Sequence, residues 1–210
     1  MSHNAVQSIT DSLDPPLTIV TTHCDGKNAG CLVGFFAQCS IEPLLFAVWL
    51  SKANYTYRIG LFASHYAMHF PTVRDVQMAD LFGGTTGDEV DKFAQCEWTP
   101  GPFDVPLLTR CQNRIVLERV GMFDVDGDHV CFVGAPIDAE ASKRFEPFRI
   151  SQVDVEPGHP AEERPAPDHP SRGPDLPDDA PRLDPQEAKL REDLAAGAGH
   201  PVDLPDDQDG

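Results

Sequence analysis

The segment SKANYTYR, residues 51–58, brings hydroxyls, an amide and one ammonium together where a strand-like pattern gives way to a helix-like one. Those are the groups that hold an anion, because a helix start presents free N–H donors and Lys52 adds a positive charge. An ordinary polar strand-to-helix turn has the same composition, and the segment alone leaves the two readings even. His129 stands just before an apolar run, where an imidazole could sit at a pocket mouth, although a lone histidine is more often a surface or capped residue.

Other motifs lose their chemistry on inspection. FGGTTGDE, 82–89, lacks the Lys-Ser/Thr ending of a phosphate-binding loop and follows a helix pattern instead of a strand, so it reads as a helix stop and turn. DVDGDH, 124–129, begins like a calcium loop but places His129 where glycine is required and Ala135 where the last glutamate belongs. Neither Ser40 nor Ser51 has the G-x-S-x-G setting of a serine nucleophile. The six cysteines, at 24, 31, 39, 96, 111 and 131, include no C-x-x-C pair, so they read as reduced thiols packed as small apolar groups, with no metal expected.

The elements that would carry these residues are mostly strands. LTIVTTHC (17–24), the turn signal DGKN (25–28) and AGCLVGFF (29–36) predict a hairpin. LLFAVWLS (44–51) is apolar on both faces, as a strand buried on both sides would be. NYTYRIGLFA (54–63) and TVRDVQMADLF (72–82) have helical spacing, the second with Thr72 as N-cap and Gly83–Gly84 as its stop, and HYAMHF (65–70) between them predicts a strand. RIVLERVGMF (114–123) and HVCFVGAPI (129–137), joined by DVDGD, predict a second hairpin. Strands in pairs with a few inserted helices describe a barrel better than regular strand–helix alternation.

Composition divides the chain. The first 150 of the 210 residues carry 18 acids and 11 bases, whereas the last 60 carry 16 and 5, hold 11 of the 20 prolines, and contain no Phe, Tyr, Trp, Ile, Met or Cys. Too little apolar area remains there to offset the entropy of ordering. The expected organisation is therefore an N-terminal arm (1–16), one domain (17–154) and a largely disordered, acidic, proline-rich tail (155–210) with one short helix at about 185–195 that could not persist alone. A formal charge of −18 repels phosphate backbones and anionic membrane surfaces, so neither nucleic acid nor membrane is an expected partner. The longest apolar run, Leu44 to Leu50, is far short of the roughly 20 residues that span a bilayer, and the first sixteen residues lack the pattern of a secretory signal, which makes the cytoplasm the expected location.

Taken in order, DGKNAGCLVGFFAQCSIEP (25–43), LSKANYTY (50–57), MADLFGGTTGDEVDKF (78–93) with Trp98, and GDHVCFVG (127–134) resemble the flavin reductase-like family. The resemblance spans about residues 17 to 138 and none of the tail. It implies a mainly β fold, the FMN-binding split β-barrel with a few inserted helices. It further implies that the flavin ring runs beside Ala29, Gly30, Cys31, Leu32 and Val33, chiefly on main-chain groups, and beside a following Cys39–Ser40 turn. Ser51, Lys52, Asn54 and Thr56 would meet the phosphate, and His129 would stand near the nicotinamide or the reactive face of the flavin as the catalytic residue. Many relatives have Ser or Thr in place of Cys31, Val33 and Gly34, and a second proline in place of Leu44. The implied activity is hydride transfer from NADH or NADPH to FMN, or to FAD, in a homodimer that supplies reduced flavin to a partner oxygenase. The alternatives are a flavin-binding electron carrier or sensor without nicotinamide turnover, and a barrel that uses its tail as an interaction arm.

Overall fold

The computed structural model describes residues 3–142 and 144–153. The tail from 154 onward, with its expected helix at 185–195, lies outside the described residues. Among the described residues are nine strands and three α-helices: α1 (His3–Leu13), β1 (Thr18–Cys24), β2 (Lys27–Val33), β3 (Phe36–Ser40), β4 (Leu45–Ser51), α2 (Tyr55–Gly60), β5 (His65–His69), α3 (Val76–Gly84), β6 (Trp98–Pro100), β7 (Pro106–Leu108), β8 (Arg114–Asp124) and β9 (His129–Glu140).

Seven strands form one antiparallel sheet in the order β2-β1-β5-β8-β9-β4-β3, and β6 with β7 makes a small separate hairpin. The outermost strands, β2 and β3, are neighbours in the chain, joined only through Gly34 and Phe35. Three residue steps reach at most about 11 Å, whereas the edges of a flat seven-stranded sheet stand roughly 28 Å apart. The sheet must therefore roll up until its edges approach, leaving a barrel that is split between β2 and β3. The Trp49 N–H on β4 donates to the Phe35 carbonyl at 2.9 Å, which fixes that junction.

The β1–β2 turn falls at Asp25–Gly26, both at positive φ (50° and 73°), the conformation that matches the twist of a two-residue hairpin. The run expected to be one strand over 29–36 breaks at Gly34, and the expected Cys39–Ser40 turn is corrected to the end of β3. The helix expected over 72–82 opens as a 3-10 turn at Val73–Asp75, capped reciprocally by Thr72 and Asp75, before α3 begins.

Two cores result. The barrel interior is filled by Val20, Cys31, Val33, Val48, Leu50, Tyr57, Tyr66, Met68, Leu117, Val130 and Phe132. Outside β1 and β2, a second core joins Ile19 to Met78 and Phe82 of α3 and to Phe93, Leu108 and Cys111. Phe82 lies so close over Gly30 that a β-carbon there would come within 2.7 Å of its ring. On the outer face of the opposite strands, Trp49, Cys131 and Phe123 stand in one cross-strand row with Phe35 beside it, and Phe35 and Phe123 are exposed. Among the described residues, no helix is long and apolar enough to cross a membrane.

Candidate flavin site

A cleft of about 510 Å³ opens where β2 begins. That volume lies within the roughly 300–1,000 Å³ of typical small-molecule and cofactor sites. Its walls are the first residues of β2 with their turn (26–30), Tyr55 at the start of α2, the loop 87–94, and Trp98. Local contacts hold the loop in place. Arg58 pairs with Asp88 and lies over the Tyr55 ring at 5.4 Å, tying the loop to α2. Gly87 approaches Tyr55 so closely that a β-carbon would sit 2.6 Å from its ring. Trp98 donates its indole N–H to the Phe93 carbonyl at 3.2 Å, and the Phe93 ring meets both Phe82 and Trp98 edge to face.

At the edge of the cleft, β2 is paired on one side only. The Gly30 carbonyl accepts from Lys92 Nζ at 3.1 Å, so it points away from β1. Alternation along an antiparallel strand then aims the main-chain groups of Asn28, Gly30 and Leu32 at the free edge, and those of Ala29, Cys31 and Val33 at β1. Lys92 is almost fully buried, and its ammonium also donates to the Phe82 carbonyl at 3.1 Å, in the last turn of α3. Burial pushes its pKa down, with a smaller opposing effect from the Cys31 thiol.

A second group of polar residues gathers at the end of β4 and β9. Ser51 stands opposite His129 in the β4–β9 register, and the Lys52 N–H donates to the Asp128 carbonyl at 2.8 Å. The Lys52 ammonium is engaged by Asp124 at 2.9 Å. His129 Nδ1 contacts Asp128 at 2.9 Å, and the hydrogen bond from His129 holds the Asp128 carboxyl below the usual carboxylate range. That leaves Nε2 as the free ring nitrogen. The imidazole lies edge-on to Phe35, 5.3 Å between centroids.

The fold thus distributes the expected site residues. Ala29 and Gly30 line the cleft. Cys31 and Val33 point into the barrel core, while Leu32 packs outward against Gly83 of α3. Asn54 caps α2 by accepting from the Thr56 N–H at 2.9 Å, and Ser51 Oγ accepts from the Ala53 N–H at 3.3 Å. Thr56 is fully buried, and its hydroxyl has no hydrogen-bond partner among the described residues; burial raises the pKa of the Cys31 thiol. Cys39 and Ser40 lie on the exposed edge strand β3, away from the cleft. Sequence reasoning missed Tyr55, Gly87, Lys92 and Trp98 as cleft residues, although all four fall within or beside segments that carried the resemblance. Lys92 offered one signal, a lone cation beside an aromatic in a segment otherwise acidic.

A flavin needs a flat slot, main-chain donors and acceptors for its carbonyl and imide edge, and positive charge for its phosphate. The aromatic walls, the free β2 edge and the buried ammonium supply that donor set, so the residues present fit the group. Across the sequence, the flavin reductase like domain profile matches residues 11–150, which takes in the sheet, the cleft and the His129 corner. The chain belongs to the flavin reductase like domain family. This flavin reductase like domain is 28% identical over 131 residues to a ferric-chelate reductase (NAD(P)H) of Archaeoglobus fulgidus, covering 62% of this chain and 78% of that protein. It is 25% identical over 135 residues to the reductase component of a flavin-dependent trigonelline monooxygenase of Acinetobacter baylyi, covering 62% of this chain but only 42% of that protein. Its fold matches an FMN-binding protein from Thermus thermophilus at a TM-score of 0.56 and 25% identity, over 60% of this chain and 69% of that one.

Proposed function

We propose that the chain is an NAD(P)H-dependent flavin reductase that takes FMN, or FAD in its place, as the acceptor. The observation that carries this reading is the coincidence of the family match over residues 11–150 with a cleft whose donor set suits a flavin. The bound flavin would supply the hydride-accepting ring. The protein's own part is to hold and orient it, which explains why no acid–base pair of side chains meets in the cleft. Main-chain groups at the free edge of β2 serve the ring. The corner of Ser51, Lys52, Asn54 and Thr56 is assigned to the phosphate, with Lys52 exchanging Asp124 for the ligand. His129, held by Asp128 through Nδ1, presents Nε2 to the nicotinamide.

The exposed outer row of Phe35, Trp49, Cys131 and Phe123 supports a homodimer, because an aromatic face of this kind loses its contact with water when a second copy covers it. Phe35 also touches His129, so that interface would border the catalytic corner. The monooxygenase reductase among the relatives supports an oxygenase as consumer of the reduced flavin. The likeness to an FMN-binding protein favours one second reading, a flavin-holding electron carrier. Absorption spectra of the purified protein with added FMN, before and after NADH or NADPH, separate the two: bleaching of the flavin band under catalytic turnover supports the reductase, and bound flavin without nicotinamide oxidation supports the carrier.

A further inference from the structure

Lys92 is buried with no carboxylate pairing to it among the described residues. The neighbouring Asp91 does not neutralise it, because that carboxylate accepts from the Phe93 and Ala94 N–H groups at 3.0 and 3.2 Å. Two of the three ammonium donors are used, on the Gly30 and Phe82 carbonyls. Those two contacts tie the end of α3 to the edge of β2, but a neutral amide would make the same tie at a lower desolvation cost. The charge also places the ammonium over the Phe82 ring, 5.5 Å from its centroid, and its remaining N–H donor can attract a negative or strongly polar group in the cleft that the residue lines. The other cations around that space are placed differently: Arg58 is paired with Asp88, and Lys27 is exposed at the lip.

We propose that Lys92 is a binding residue of this cleft, its third N–H donor reaching an oxygen acceptor of the ligand, which is either the flavin phosphate or a ring carbonyl. The proposal rests on the flavin-binding reading above. It assigns a ligand to the one ammonium donor that the Gly30 and Phe82 carbonyls leave unused.

Flavin titrations followed by fluorescence, together with thermal melts without flavin, test it. Lys92→Gln keeps N–H donors on a slightly shorter side chain and removes the charge, Lys92→Met removes both, and Arg74→Gln, an exposed cation outside the cleft, is the control. The expected result is a loss of FMN affinity of about tenfold to a hundredfold in Lys92→Gln, with its melting temperature near that of the wild type and with Arg74→Gln binding normally. Lys92→Met is expected to lose at least as much affinity and to melt lower. Riboflavin separates the two sources: loss for FMN alone assigns the phosphate, and equal loss for both ligands assigns a ring carbonyl. A folded Lys92→Gln that binds FMN and riboflavin as tightly as the wild type overturns the proposal. A wild-type protein that binds neither overturns the flavin-binding reading instead.

Discussion

His129 on β9 and Phe35 in the β2–β3 junction meet edge to face, their ring centroids 5.3 Å apart, so the junction residue packs on the imidazole. Asp128 holds Nδ1, and the remaining contact surface of the imidazole faces outward. Replacing His129 by Ala is expected to lower turnover with NADH or NADPH by about tenfold to a hundredfold, the scale of one hydrogen bond to a charged or developing charge, while FMN affinity stays near the wild-type value. Steady-state rates beside a flavin titration check this. Turnover equal to wild type would make the histidine purely structural.

The Lys52–Asp124 pair makes a competing demand on the cation assigned to the phosphate. Removing the competitor without changing shape should release it. Asp124→Asn is expected to bind FMN several-fold more tightly, and Lys52→Ala, alone or with Thr56→Ala, several-fold more weakly, because a charge-assisted contact to phosphate is gained or lost. Riboflavin, which has no phosphate, should bind all of these variants alike. Equal changes for FMN and riboflavin would move the phosphate away from this corner.

Much of the fold was legible because period-two patterning and turn residues coincide in this chain. Asp25–Gly26 and the DVDGD turn mark both long hairpins, and β1, β4, β5, β8 and β9 all lie where alternation or continuous apolar runs put them. What escaped has a physical reason in each case. β6 and β7 are three residues long and contain prolines, too short for any periodicity to register. The α1 helix carries Val6, Ile9 and Leu13 at helical spacing, but those residues are exposed and its start lacks an acidic first turn. In the site, the segments were legible and their side chains were not. Asn54 and Thr56 turn out to serve α2 and the core, and the cleft walls come from Tyr55, Lys92 and Trp98, which only the folding of loop 87–94 brings to β2.

The aromatic row on the outer face predicts a concentration-dependent dimer. Phe123→Asp, at a residue already 46% exposed, places a charge at one end of the row.

 Sedimentation velocity is expected to move from dimer to monomer in that variant, with the far-UV spectrum unchanged. A wild-type protein that stays monomeric across the accessible concentration range rules out this interface.

The buried histidine His69 predicts how stability responds to acid. Its Nε2 lies 3.1 Å from the Thr21 hydroxyl, which itself donates to the Pro106 carbonyl at 2.6 Å, so the hydroxyl oxygen accepts from Nε2–H and the ring is neutral. Nδ1 has no hydrogen-bond partner in the core, and burial pushes the pKa down from 6.5 to about 4. The unfolded chain therefore takes up a proton near pH 6.5 that the folded protein refuses until about pH 4. Stability from this group is full above pH 6.5 and declines as the pH falls between those two values. From pH 6.5 to 5, where most carboxylates are still ionised, the loss should be about 1.5 kcal/mol. Urea unfolding at the two pH values measures it. In His69→Gln the same interval should show a much smaller change, although the variant begins less stable at pH 7 for want of the ring's packing. An equal pH dependence in both proteins would mean that His69 is not the group that refuses the proton.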